Sequence, residues 1–449
     1  MIGESLLKQA RLRKGWTLAE AAAAVNVSVT TQERWEKGLA QPHGPNLQAL
    51  CKTYDASPED LGFPSGEIYT VAISEETKAD AFSDFSMRLY IMALAPRRSL
   101  YEVQYELRRI LEASVKDEIT RRDALWRLTW MPLLGLLAGN AAPAFGRENV
   151  TQFAAAIAAC WELSKGDGQD MKHSYQRMNE YLPILRAHLQ GLNAGSQRQA
   201  LLTLIAQCYH FKTVTGWHLE SLRAAQDYAH LALHYSTLAE DVPLQIEGEL
   251  RLADIYYFSK QYRQAYSMMC NAEARIKASS VPLPPLLVSH VYSFLSVLQA
   301  MFHQKNPALS SLELAHQHFH VYRQDEAAAR CFVDHSAAGL ANNDGLTHAY
   351  LGMPDQALDS LSQVINAPAA AVKQRTRVLA YNDQVLALLN SPKKDMERTI
   401  PAWITSMQGA TALKSEQRWQ EAMENYTIMR AVWPGEKRIE ELHDLAVHW

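Results

Sequence analysis

Apolar and polar positions over the first 61 residues alternate at the spacing of short helices. Leu6, Leu7, Ala10 and Leu12 predict a first helix over residues 4–14, with those four side chains on its inner face. Thr17 and Ser28 each precede a short helical stretch, the first within residues 15–28 and the second within residues 29–38. Both are good N-caps, because a side-chain oxygen there accepts an unpaired N–H of the first turn. Gly15 and Gly38 sit where helices end. Residues 46–54 predict a fourth helix, and Ser57-Pro58 opens a fifth, with Ser as cap and Pro at the first helical position. The stretch Gly62-Phe63-Pro64-Ser65-Gly66 breaks the pattern and predicts a boundary.

Beyond that boundary, Leu100, Val103, Leu107, Ile110 and Leu111 recur at a 3.6-residue period, so residues 74–118 read as a helical connector. From about residue 150 the chain is a run of paired amphipathic helices with an internal repeat. One unit carries Ala253, Tyr256, Tyr262, Ala265, Met269 and Ala272. The same spacing returns as Ser296, Ala308, Leu312 and Ala315, as Gly345, Gly352, Ala357 and Leu361, and as Ala410, Ala422 and Tyr426. A weaker copy surrounds Ala225, Ala229 and Ala232. Small residues let the two helices of a pair approach closely, and each pair leaves an apolar face that only the next pair covers. The expected fold is therefore all-α. It has a five-helix head at residues 1–64, a connector at 65–149, and an α-solenoid at 150–449 that acts as sensor and dimerisation domain.

The head has the layout of a helix-turn-helix, with Asn26-Val27-Ser28 as the tight turn and the helix after it placed to enter the DNA major groove. Residues 2–64 resemble the Cro-like, xenobiotic-response-element helix-turn-helix family through Thr17, Ala22, Val27, Ser28, Arg34-Trp35-Glu36 and Gly38. Residues 200–432 are similar to tetratricopeptide repeats. The combination resembles bacterial transcriptional regulators that carry a repressor-like head on a repeat sensor, peptide-sensing quorum regulators among them. The resemblance implies an operator on double-stranded DNA, a homodimer, and a peptide or protein effector. Two positions depart from the pattern: Leu18 stands where the family often has a glutamine that touches phosphate, and Gln32 where it usually has an apolar residue.

Composition narrows the partners. The 449 residues carry a net charge of −4, which argues against a protein that coats nucleic acid nonspecifically. Residues 1–64 hold seven basic and seven acidic side chains, so DNA affinity must come from placement of charge and from pairing of two heads. The cysteines Cys51, Cys160, Cys208, Cys270 and Cys331 are scattered, as in a reduced cytoplasmic protein. No signal peptide is expected. Arg121-Arg122 followed by uncharged Leu128–Gly146 looks like an export signal or a short span. However, Pro132, Gly135, Gly139 and Pro143 interrupt it, and the bland reading is a buried helix that docks the connector, with no membrane partner.

Val29, Thr30, Thr31 and Arg34 open the second helix of the motif and are the candidates for base readout. Arg34 suits guanine O6/N7 and Val29 a thymine methyl. The competing reading pairs Arg34 with a phosphate or with Glu33. Thr17, Ser28, Lys37, Gln41 and His43 are placed to meet the backbone, while Trp35 and Ala22 read as core. On the repeat register, Gln207, His210, Asp254, Tyr257, His290, Asn342 and Tyr350 face a concave groove that takes an effector or packs on a partner subunit. His316, His318 and His320 near Glu313 have the spacing of a metal site, yet histidine on an exposed helix is commoner. No Walker loop, G-x-S-x-G or H-E-x-x-H is present, so neither an enzyme nor a cofactor is expected. A repeat-based interaction scaffold, with the head serving autoregulation or localisation, is the alternative function.

Overall fold

The computed structural model describes residues 6–25, 27–37, 42, 44–56, 59–61, 100–105, 122, 125–126, 128–130, 132, 147–164, 168–324, 333, 335–369, 371–443 and 445. All regular elements among them are helical. The chain divides into two compact units, Met1–Met87 and Arg88–Trp449.

The first unit contains α1 (Leu6–Arg13), α2 (Leu18–Ala24), α3 (Val29–Glu36), α4 (Gly44–Tyr54) and a 3-10 turn at Glu59–Leu61. That turn stands where a fifth helix was expected, and Ser57, Pro58 and the boundary at 62–66 lie outside the described residues. Leu7, Val25, Trp35, Leu50, Tyr54 and Leu61 form the core. The inner face of α1 differs from the expectation. Leu7 is 1% exposed, whereas Leu6 and Leu12 are 42% and 51% exposed, and the buried partner of Leu7 is Arg11. Arg11 is drawn inward by charge: Nε and Nη2 donate to the two carboxylate oxygens of Glu36 at 2.7 and 2.9 Å, and Nη1 donates to the Trp16 carbonyl at 2.9 Å.

The described residues of the second unit start with a short helical segment at 100–105, whose Val103 joins the repeat core. Then come α5 (Arg147–Leu163) and α6 (Gly168–Gln190), followed by helix pairs. These are α7 (Ser196–Leu219) with α8 (Leu222–Leu238), α9 (Val242–Phe258) with α10 (Tyr262–Ala278), α11 (Pro285–Met301) with α12 (Lys305–Gln324), α13 (Ala337–Tyr350) with α14 (Pro354–Ile365), and α15 (Gln374–Asn390) with α16 (Met396–Ala412). The run ends with α17 (Glu416–Val432) and the short α18 (Lys437–Glu441). The first helices of successive pairs touch one another, α7 through α17, and form an inner row.

Small residues set the seams. Ala225, Ala229, Ala253, Ala265, Ala308, Ala357 and Ala410 are fully buried. At Gly345 a Cβ would stand 2.5 Å from Leu361 Cγ, so α13 and α14 meet backbone against side chain with no room for a methyl group. The turns repeat as well. Glu240, Lys260, His303, Gly352 and Lys414, each one residue past a helix C-cap, have φ between 49° and 69°. The next N–H in each case reaches a carbonyl five residues back, as in Gln261 to Tyr256 at 2.8 Å and Gln304 to Gln299 at 2.9 Å. This is the Schellman stop. Only Gly352 among the five carries the residue that usually marks it.

Most of the connector and of Leu128–Gly146 lies outside the described residues. Leu128 and Thr129 are buried, and Thr129 accepts through its carbonyl from Tyr181 of α6. Trp126 stacks on His173 of the same helix at 3.5 Å. No helix among the described residues is long and apolar enough to cross a membrane. Cys160 and Cys208 are buried free thiols, and Cys331 is outside the described residues.

Candidate functional site

Two capped helices build the exposed end of the first unit. Thr17 caps α2 reciprocally with Glu20: the Thr17 side chain accepts from the Glu20 N–H at 3.3 Å, and the Thr17 N–H donates to the Glu20 carboxylate at 2.7 Å. The bonds that the Glu20 carboxylate accepts from the Thr17 N–H and from the Thr17 hydroxyl, the latter at 2.8 Å, hold it below its ordinary pKa. Ser28 caps α3 by accepting from the Thr31 N–H at 3.1 Å, and its hydroxyl lies 2.8 Å from that of Thr31. The caps fix where α3 starts and therefore which side chains its first turn presents.

The face presented is clear. Val29 is 45% exposed, Thr30 and Arg34 are exposed one turn apart, and Thr31 is half-buried. Trp35 is core, as is Ala22 on α2. Glu33 pairs with Lys37 at 2.6 Å, not with Arg34, and no ion pair engages Arg34 among the described residues. Gln32, the residue that departs from the apolar pattern, is fully buried and donates to Glu36 at 3.0 Å. It therefore extends the Arg11–Glu36 pair and leaves the outer face to Val29, Thr30 and Arg34. Nothing near Arg11 in the sequence signals this tie, which joins residues 25 positions apart. Gln41 and His43 lie outside the described residues.

The helix-turn-helix domain family matches residues 5–62. Residues 5–62 are a helix-turn-helix domain. In that domain α2 and α3 are the helices on either side of the turn, and α3 occupies the place of the helix that reads base edges. No curated protein matches the chain in sequence. Among solved structures, Bacillus thuringiensis PlcR in complex with the peptide PapR7 and DNA is similar at TM-score 0.32 and 15% identity, over 73% of this chain and 99% of that one.

The repeat unit gathers a second group of side chains. Of the seven expected to face a groove, three are buried and internally bonded. Gln207 accepts from Gln104 at 2.7 Å, and Asn342 donates to Asp383 at 2.7 Å. His210 donates to the Leu244 carbonyl at 3.1 Å, and burial pushes its pKa down to about 3. His290 stacks on His335 with ring centres 4.6 Å apart. Tyr257 and Tyr350 meet hydroxyl to hydroxyl at 3.5 Å, across 93 residues of sequence. Asp254 is the one of the seven that lines a cavity of about 140 Å³, together with His218, Arg251, Arg375, Gln417 and Arg418 among others. Of the histidines near Glu313, His316 bonds Asp344 at 3.1 Å and His318 stacks on Tyr292, while His320 is exposed. No group of three metal-ligating side chains is arranged to hold an ion among the described residues.

Proposed function

We propose that the chain is a sequence-specific transcriptional regulator. Its head binds an operator as half of a homodimer, and its repeat unit dimerises and binds an effector, a short peptide being the leading class. The observation that carries the reading is the outer face of α3. In a matched helix-turn-helix domain, Val29, Thr30 and Arg34 stand exposed behind a Ser28 cap, and Glu33 is occupied by Lys37. Thr31 completes the readout group, and Thr17, Ser28 and Lys37 supply backbone contacts or support them. A head with balanced charge has little nonspecific affinity, so two half-sites one helical turn apart multiply what one offers. Effector binding shifts the population between two arrangements of the heads.

The test is binding of the full chain and of Arg34→Ala to fragments of its own promoter, against unrelated DNA, at one fixed salt concentration. The expected result is a specific complex that Arg34→Ala weakens by roughly 10- to 150-fold, the range of one bidentate base contact. A folded chain with equal affinity for promoter and unrelated DNA would overturn the reading in favour of the interaction scaffold.

A further inference from the structure

The cavity between the start and the end of the inner row is lined by three arginines and the Asp254 carboxylate, and one of those arginines lacks a carboxylate partner among the described residues. Its floor and rim come from four helices: Thr213, Val214, Trp217 and His218 of α7, Arg251, Asp254, Ile255 and Phe258 of α9, Arg375 of α15, and Gln417 and Arg418 of α17. Two of the three arginines are neutralised inside the fold. Arg251 pairs with Glu247 at 2.7 Å and Asp254 at 3.3 Å, and Arg418 reaches both carboxylate oxygens of Glu421 at 2.6 Å. Arg375 differs. Its Nη1 donates to the Nε2 of His218 at 3.1 Å, and no carboxylate pairs with it among the described residues. A neutral imidazole is thus the partner of a half-buried guanidinium, a poor exchange for water. The surroundings agree. Burial and the neighbouring Arg418 lower the Arg375 pKa, and partial desolvation of the ring, with Arg375 and Arg418 beside it, lowers that of His218 although much of the residue is exposed.

One wall is apolar. Trp217 and Phe258 meet edge to face with ring centres 4.6 Å apart, beside Val214 and Ile255. At about 140 Å³ the space is well below the roughly 300 Å³ at which pockets begin to hold drug-sized molecules. It suits one anionic group and a small apolar attachment.

We propose that this cavity is an anion site in the repeat unit. It takes a ligand that carries a carboxylate or phosphate group, held by the forked donors of Arg375 with Arg418 beside it, and packs a small apolar part of that ligand against Trp217, Ile255 and Phe258. The anion takes the place of His218 on Arg375, so occupancy loosens a direct link between α7 and α15. The proposal rests on the reading that the repeat unit binds an effector and names the chemistry of the part of that effector that enters the fold.

The test is calorimetric titration of the full chain, without DNA and at low ionic strength, with inorganic phosphate, N-acetylleucine and the neutral N-acetylleucinamide. The expected result is saturable binding of phosphate or N-acetylleucine at one site per chain, about tenfold or more tighter than the amide and about tenfold or more weakened in Arg375→Gln. Saturation by phosphate alone assigns a phosphorylated ligand, and saturation by N-acetylleucine alone assigns a carboxylate. A second variant, Gln417→Glu, leaves Arg375 in place and sets a carboxylate on the wall. It is expected to weaken either anion by a similar factor. No saturable binding of either anion up to about 10 mM, or equal binding by wild type and both variants, overturns the proposal. Because DNA is absent, that failure leaves operator binding standing, and a failure to bind the promoter leaves this result standing.

Discussion

In the head, α1 is joined to α3 by a buried ion pair, Arg11 with Glu36, to which Gln32 is added. In the repeat unit, α13 is joined to α14 by contact of Gly345 with Leu361, α16 meets α15 in the same way at Gly409 against Val378, and buried alanines line several other seams. The first joint is polar and directional and works only when both partners are present. The second is apolar and steric and works only while a side chain is missing. The head is small and has few apolar side chains to bury, so a charged tie contributes orientation that its core of six residues supplies sparingly. The solenoid repeats one interface many times, and a close approach that serves one pair serves the next.

The largest test of that contrast is Glu36→Ala. It leaves Arg11 buried without its carboxylate, and the head is expected to lose about 3–5 kcal/mol, read from hydrogen exchange across α1 to α3. A joint Arg11→Met, Glu36→Leu change should recover most of that loss. If the single change costs under about 1 kcal/mol, the ion pair is not what organises the head.

Next is an effect of pH confined to the repeat unit. Burial, and then Glu421, raise the Asp383 carboxyl to about 7, against an unfolded value near 4. A raised carboxyl favours the protonated folded chain. Its stabilisation is full below the unfolded value and is lost as pH rises toward 7. Denaturant midpoints of wild type should therefore fall between pH 4 and 7 relative to those of Asp383→Asn, by an amount on the order of 2–4 kcal/mol. Parallel curves for the two chains would mean that Asp383 titrates normally.

Gly345→Ala places a methyl 2.5 Å from Leu361 and is expected to cost about 1–3 kcal/mol by overpacking, seen as a lower melting temperature of the repeat unit. A neutral outcome would show that this seam yields. The smallest expected effect is a gain. His303 adopts a left-handed conformation that costs an L-residue energy, so His303→Gly should stabilise by about 0.5–1 kcal/mol after the added freedom of the unfolded chain is counted.

Much of this architecture was legible in local spacing. Thr17 and Ser28 announce α2 and α3 because capping acts over three residues, and Ala253, Ala265 and Ala272 mark seams because small residues recur at a fixed period. Leu6 and Leu12 misled for the same local reason. Their spacing promises an inner face, but the charge that claimed that face came from Glu36, outside any helical window. The turns at Glu240, Lys260, His303 and Lys414 were hidden because no glycine advertises them. His218, Arg375 and Arg418 were not foreseen as a group, since 157 residues separate the first two and only the path of the inner row brings them together.

That return path also bears on how the repeat unit comes apart. A linear array of helix pairs frays from its ends, each pair held by one neighbour. Here the ends support each other: Arg375 touches His218, and Lys260 of the turn after α9 pairs with Glu424 of α17 at 2.5 Å. Loss of α15 to α18 thus strips α7 and the turn after α9 of a partner, so fraying at one end of the row is felt at the other. The same contacts lengthen the average sequence separation that folding must span, so this solenoid should assemble more slowly than an open array of equal size.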